Sequence, residues 1–75
     1  MTVTLYGAEW CPACNQAKKY LKDKNIEYTY IAVDTEEGLV AAKNNLISSI
    51  PVLDIDNKKI VGYSLNSYNL LFSNI

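Results

Sequence analysis

The hydropathy pattern changes period once within the first two dozen residues, and Pro12 marks the place. Thr2 to Tyr6 alternates, with Val3 and Leu5 on one face, as a half-buried strand does. Gly7-Ala8-Glu9-Trp10 reads as a loop. Pro12 then suits a first helical position, because its missing N–H would be unpaired there anyway. From Pro12 to about Lys24, Ala13, Cys14, Ala17, Tyr20 and Leu21 recur at spacings of three and four, while Lys18, Lys19, Lys22 and Asp23 fall mostly off that stripe. A strand that passes directly into an amphipathic helix confines the chain to folds in which the helix covers the strand's apolar face.

The remaining residues extend the alternation of strands and helices. Glu27 to Val33 is β-branched and aromatic, and predicts a second strand. Asp34 is the expected cap of a second helix, with Glu37 at capping-box spacing and Leu39, Ala42 and Leu46 as its apolar stripe. Gly38 weakens the first turn of that helix. Ile50-Pro51 imposes an extended or turn conformation. Val52 to Ile55, the turn residues Asp56-Asn57, and Lys59 to Val61 form a hairpin, which Gly62 ends. Ser64 caps a last helix carrying Leu65, Tyr68, Leu71 and Phe72 at helical spacing. The predicted order is β-α-β-α-β-β-α, one α/β domain over residues 1–75, with no repeat or linker.

Charge and length exclude several classes of function. Eight acidic residues face seven basic ones, for a net charge of −1. That balance carries no footprint for nucleic acid or an anionic membrane. No apolar run approaches the roughly 20 residues that span a bilayer. Residues 1–6 have no basic segment followed by an apolar one, so no signal peptide is expected and the expected compartment is the cytoplasm. In that reducing setting a CxxC pair is more often catalytic or metal-binding than a permanent cross-link.

Cys11 and Cys14 are the chain's two cysteines, and they lie one helical turn apart. Such a pair closes and reopens an intramolecular disulfide and so carries two electrons. Cys11 falls at the helix start, where the positive end of the helix and its unpaired N–H groups favour a thiolate. Cys14 lies on the apolar stripe. The expected assignment is therefore an exposed, attacking Cys11 and a shielded, resolving Cys14. A zinc site is the competing use of two cysteines, but zinc takes four ligands and the chain has no histidine. Only a dimer contributing Cys11 and Cys14 from each copy completes a metal or cluster shell. A third reading is an interaction domain whose CxxC is inert.

A strand, then Trp10-Cys11-Pro12-Ala13-Cys14 opening a helix, then Ser49-Ile50-Pro51 before a hairpin, then Val61-Gly62-Tyr63, together resemble the thioredoxin superfamily. In particular they resemble a small glutaredoxin or the glutaredoxin-like electron donors of ribonucleotide reductase. The resemblance runs from Val3 to about Phe72. It implies a thioredoxin-like fold with a four-stranded mixed sheet flanked by three helices, and a cis Pro51 lying against the Cys11 sulfur. It also implies that the backbone of Ile50 pairs with a bound thiol peptide, and that Trp10, Pro12, Gly62 and Tyr63 complete the substrate-binding surface.

Where glutathione-binding members of that family place a basic residue, an aromatic residue, a glycine pair and an acidic residue, this chain has Ala8, Ala13, Val61-Gly62 and Leu65. The side chains expected around the sulfur include no cation, although small charged ligands need a few placed polar groups. No charged residue occurs after Lys59, or between Asn44 and Leu53. Trp10, Ile50, Val61 and Tyr63 are instead expected to form an apolar patch suited to docking a protein. The expected function is a monomeric dithiol–disulfide oxidoreductase acting on protein disulfides, ribonucleotide reductase being the partner the family suggests. No cofactor is expected to be tightly bound. A thioredoxin-reductase-type enzyme is the expected reductant, with glutathione as the alternative co-substrate.

Overall fold

The structure, a computed structural model, describes residues 2–73; the last two residues of the charge-free C-terminal stretch lie outside that range. Seven elements follow one another: β1 (Val3–Gly7), α1 (Pro12–Asp23), β2 (Thr29–Ala32), α2 (Glu36–Asn44), β3 (Val52–Ile55), β4 (Lys58–Val61) and α3 (Leu65–Phe72). The strands form one mixed sheet in the order β2-β1-β3-β4. β1 pairs with β2 in parallel and with β3 antiparallel, and β3–β4 is the antiparallel hairpin. This is the expected thioredoxin-like arrangement of four strands and three helices. The parallel pair follows from α1, which supplies the crossover that parallel neighbours require.

Alternation along the strands divides the sheet into two faces. Val3 and Leu5 of β1, with Leu53 and Ile55 of β3, join Ala17, Tyr20 and Leu21 of α1 and Tyr68 of α3 in the main core. Leu5, Leu21 and Leu53 are fully buried, each worth about 1.5–3 kcal/mol of transfer free energy. Rings of Tyr20, Tyr63, Tyr68 and Phe72 meet mostly edge to face and lock α1 against α3. The Tyr20 hydroxyl donates to Asn69 Oδ1 at 2.7 Å across the same seam.

Several expected boundaries move, each for a local reason. Gly7 belongs to β1 and pairs with Ala32, so the first loop is Ala8 to Cys11. β2 is shorter than its β-branched run, because only Thr29 to Ala32 lie alongside β1. Thr35, not Asp34, caps α2: its hydroxyl accepts from the Gly38 N–H at 3.0 Å and donates to the Ala32 carbonyl at 2.7 Å. Gly38, read as a weakness in the helix, is demanded by that contact, since a Cβ there would run into the Ala32 carbonyl. Leu46 is not part of the α2 stripe. It follows the helix at φ 59° and is 89% exposed. Asp56 and Asn57 both have positive φ, as the tight hairpin turn requires.

Candidate active site

β1 ends at Gly7, and the next four residues carry the chain over to the start of α1. Cys11 is the N-cap: its backbone is extended, and its Sγ accepts from the Cys14 N–H at 3.2 Å. One of the unpaired donors of the helix start is thus aimed at the Cys11 sulfur, an interaction that strengthens when the sulfur carries charge. Pro12 occupies the first helical position and is exposed, so the ring fixes the turn and offers a surface beside the sulfur. The loop is pinned from below: Cys11 N–H donates to the Ala8 carbonyl at 3.2 Å, and the Asn15 amide donates to the Glu9 carbonyl at 3.0 Å.

Both cysteines are free thiols, and both are buried. Cys11 was expected to be exposed. Instead it is 8% exposed, packed with Ala8 and Cys14 under Ala13 and Ile50, while Cys14 has no exposure. The N-cap position tucks the side chain toward the first turn, which accounts for the cover. The asymmetry between the two sulfurs survives in reduced degree. Burial pushes the Cys14 thiol up to about 11, and hydrogen bonding to Cys11 pushes the same way; the Ala8 backbone and the Lys18 ammonium work against both. Cys14 therefore holds its proton at neutral pH.

Gly7 forms the floor under Cys14. A Cβ on it would stand 3.1 Å from Cys14 Cβ, 3.2 Å from its Sγ and 3.3 Å from Tyr30 Cε1. The bare glycine lets the Cys14 sulfur sink against the strand. Two phenols lie within electrostatic reach of that sulfur: Tyr68, pushed up to about 12 by burial, and Tyr30, raised first by burial. Neither hydroxyl has a hydrogen-bond partner among the described residues.

The Ile50–Pro51 peptide bond is cis, as the family resemblance implies. Pro51 is fully buried, and Ile50 packs on the cysteine cluster. Gly62, at φ 81°, donates its N–H to the Pro51 carbonyl at 2.7 Å, which draws these two residues together. Nothing lies within 4 Å of a Cβ at Gly62, so conformation and not space favours glycine there. Trp10 is 69% exposed and, with Ile50, borders a shallow groove of about 220 Å³ whose far wall includes Leu39 and Ala42 of α2. Tyr63 is placed elsewhere: its ring centroid is 4.9 Å from that of Tyr68, inside the aromatic seam. Val61 is exposed on β4, the edge strand.

Glu9, Lys18 and Tyr30 form a cluster that the sequence reading did not select. The Lys18 ammonium lies 3.2 Å from both Glu9 carboxylate oxygens and 4.3 Å from the centre of the Tyr30 ring. Burial works against its charge, but bonding to Glu9 and the fields of Tyr30, Glu9 and Tyr28 prevail, and its pKa is raised. The four-residue spacing of Cys14 and Lys18 on one helix face was the available signal. Among the described residues no group of three or more His, Cys, Asp and Glu side chains gathers to hold a metal, and no helix is long and apolar enough to cross a membrane.

This geometry agrees with the comparisons. Residues 3–60 match the family model for glutaredoxin. The chain belongs to the glutaredoxin family. It is 34% identical over 64 residues to a glutaredoxin-like 8.6 kDa protein in the rubredoxin operon of Clostridium pasteurianum, covering 83% of this chain and 85% of that one. The crystal structure of a glutaredoxin from Archaeoglobus fulgidus superposes with a TM-score of 0.76 at 30% identity, over 92% of this chain and 83% of that one. The NrdH-redoxin of Escherichia coli, a glutaredoxin-like protein with a thioredoxin-like activity profile, shares the fold with a TM-score of 0.76 at 22% identity, over 95% of each chain. As a glutaredoxin-family member, the chain is a thioredoxin-fold redox protein, and its cysteine pair stands at the end of β1 and the start of α1.

Proposed function

We propose that this glutaredoxin-family protein is a dithiol–disulfide oxidoreductase that reduces disulfides in other proteins. The observation that carries the reading is the inequality of its two sulfurs: a helix N–H is aimed at Cys11, whereas Cys14 is fully buried and keeps its proton. The Cys11 thiolate attacks one sulfur of the substrate disulfide. A Cys11–substrate disulfide forms, and the second substrate sulfur leaves as a thiolate and takes up a proton. Cys14 then loses its proton and attacks Cys11 Sγ. The Cys11–Cys14 bond forms, the mixed disulfide breaks, and the substrate sulfur that Cys11 first attacked leaves as a thiolate and takes up a proton. The substrate gains two electrons and the protein is left oxidised.

An outside dithiol reopens the Cys11–Cys14 disulfide, and a thioredoxin-reductase-type flavoprotein fits this site better than glutathione. Glutathione presents two carboxylates, which call for free cations. Lys18 and Lys19, the lysines of the middle of α1, already hold Glu9 and Asp23. The exposed residues flanking Cys11 in the chain, Trp10 and Pro12, are uncharged, which suits docking of a protein surface. The family resemblance of the sequence makes ribonucleotide reductase the first substrate to assay. The protein needs no tightly bound cofactor and acts as a monomer in the cytoplasm.

Two variants and two reducing systems test this reading. Cys11→Ser is expected to abolish reduction of a protein disulfide, and Cys14→Ser to accumulate protein-linked mixed disulfides on Cys11. Turnover of wild-type protein is expected with NADPH and thioredoxin reductase, and little with glutathione and its reductase. Full activity of Cys11→Ser overturns the mechanism; efficient turnover with glutathione alone overturns the choice of reductant.

A further inference from the structure

The mechanism leaves one problem unsolved at the floor of the site. Cys14 must give up its proton to resolve the mixed disulfide, yet it is wholly buried, beneath Ala13 and Ile50 and against Gly7. The groups within electrostatic reach of its sulfur are Cys11 and Lys18 on its own helix, Tyr30 on β2 and Tyr68 on α3. Of these, only Lys18 bears a positive charge.

Lys18 is not a free surface lysine. Four residues after Cys14, it shares that residue's helix face. Its side chain is 23% exposed, and its ammonium is fixed on two sides, by both Glu9 oxygens at 3.2 Å and by the Tyr30 ring at 4.3 Å. The same Tyr30 ring reaches Gly7, the residue on which the Cys14 sulfur rests. A cation so held needs no rearrangement when charge appears on the neighbouring sulfur. Its tether, Glu9, lies two residues before Cys11, so the ion pair also ties the first loop to the body of α1.

We infer that Lys18 is a positioning residue for the resolving step: its ammonium, anchored by Glu9 and seated on Tyr30, favours the anionic form of the Cys14 sulfur as it attacks Cys11. This inference rests on the proposed division of labour between Cys11 and Cys14. A nearby opposite charge lowers a thiol by about 1–3 units; Lys18 is the smallest of the contributions at Cys14 and Glu9 offsets part of its field, so the low end of that range is the ceiling. Taking about one unit, loss of the cation reduces the Cys14 thiolate tenfold. The more basic thiolate is about threefold more nucleophilic, so the net slowing is about three- to fourfold.

The two sulfurs can be timed separately with an aromatic disulfide whose thiol products are coloured, dithiobis(nitrobenzoate). Attack by Cys11 releases the first coloured thiol at a rate proportional to reagent concentration. Attack by Cys14 on the mixed disulfide releases the second at a rate independent of it. At neutral pH, Lys18→Met is expected to slow the second release about three- to fourfold and to leave the first within twofold. Lys18→Arg, which keeps the charge, is expected to restore most of the second rate; a purely structural role for the lysine stem would not distinguish Arg from Met in this way. Lys18→Gln replaces Lys18→Met if the latter loses the wild-type circular dichroism. An unchanged second phase in a folded, uncharged variant overturns the inference. Absence of a concentration-independent second phase in the wild type would instead overturn the assignment of Cys14 as resolving thiol.

Discussion

Helix α1 buries Cys14, Ala17, Tyr20 and Leu21, whereas α2 buries only Gly38 and Ala42 and leaves Leu39 and Val40 half exposed. The first is held by large side chains interlocking with β1, β3 and α3; the second is held by backbone lying close to the β2 end. The difference follows the division of work at the site. α1 and the cap residue before it hold both sulfurs, with the Cys14 N–H bonded to Cys11 Sγ. α2 supplies Leu39 and Ala42 to the groove beside Trp10, on the face where the proposed function places a docking protein. Elements with few buried apolar contacts open at lower free energy than the core, so the α2 side of the groove is an adaptable wall.

The sharpest way to break this contrast is to remove a side chain from the rigid half. Leu21 is fully buried in the main core. Leu21→Ala is expected to lower stability by about 2–5 kcal/mol, which for a domain of this size lowers Tm by about 8 °C or more. The corresponding truncation in α2, Leu39→Ala, falls on a residue that is 50% exposed and is expected to lower Tm by less than half as much. Equal losses measured by thermal melts would show that α2 is as firmly buried as α1.

A second test attacks α2 through its backbone. Gly38→Ala places a methyl group against the Ala32 carbonyl and beside Thr35 Oγ1, and neither the strand end nor the cap yields without loss. A cost of about 1–3 kcal/mol is expected, read as a lower denaturant midpoint with the slope of the transition unchanged. The usual effect of Gly→Ala inside a helix is a gain of about 1 kcal/mol, so even the sign of this result is diagnostic.

The same two helices show what could be read in the sequence. The α1 stripe was legible because its spacing and its burial agree: Cys14, Ala17, Tyr20 and Leu21 are all in the core. The cap at Ser64 and the positive-φ turn at Asp56-Asn57 were legible for the same reason, since local chemistry there decides local structure. α2 was read less well. Its cap and its glycine are set by the Ala32 carbonyl, a tertiary neighbour that no local pattern reveals, and Leu46 mimicked a helical repeat beyond the helix end. At the site, the N-cap role of Cys11 could be read from Pro12. The cover over Cys11, the seat of Tyr63 among the aromatic rings and the clamp on Lys18 depend on how α1, α3 and β2 meet.

The ends of the two helices offer the finest comparison. Each closes with the same pair of bonds. After α1, Ile26 N–H reaches the Leu21 carbonyl at 2.9 Å and Asn25 N–H the Lys22 carbonyl at 3.0 Å; after α2, Ile47 N–H reaches Ala42 at 2.8 Å and Leu46 N–H reaches Lys43 at 3.2 Å. The residue between must be left-handed, and it is Asn25 at φ 57° in one case and Leu46 at φ 59° in the other. Asparagine tolerates that conformation, but for leucine it costs about 1–2 kcal/mol. Leu46 has almost no burial to set against this cost. Leu46→Gly relieves the strain while adding about 0.5–1 kcal/mol of unfolded-chain entropy, so a net gain of about 0.5–1 kcal/mol is expected, whereas Asn25→Gly changes stability by only a few tenths. A rise of about 2–8 °C in Tm for Leu46→Gly alone would place the least optimised turn of the molecule at the end of its less buried helix. A loss on that substitution would mean that the exposed leucine stabilises the end of α2 by contacts of its own.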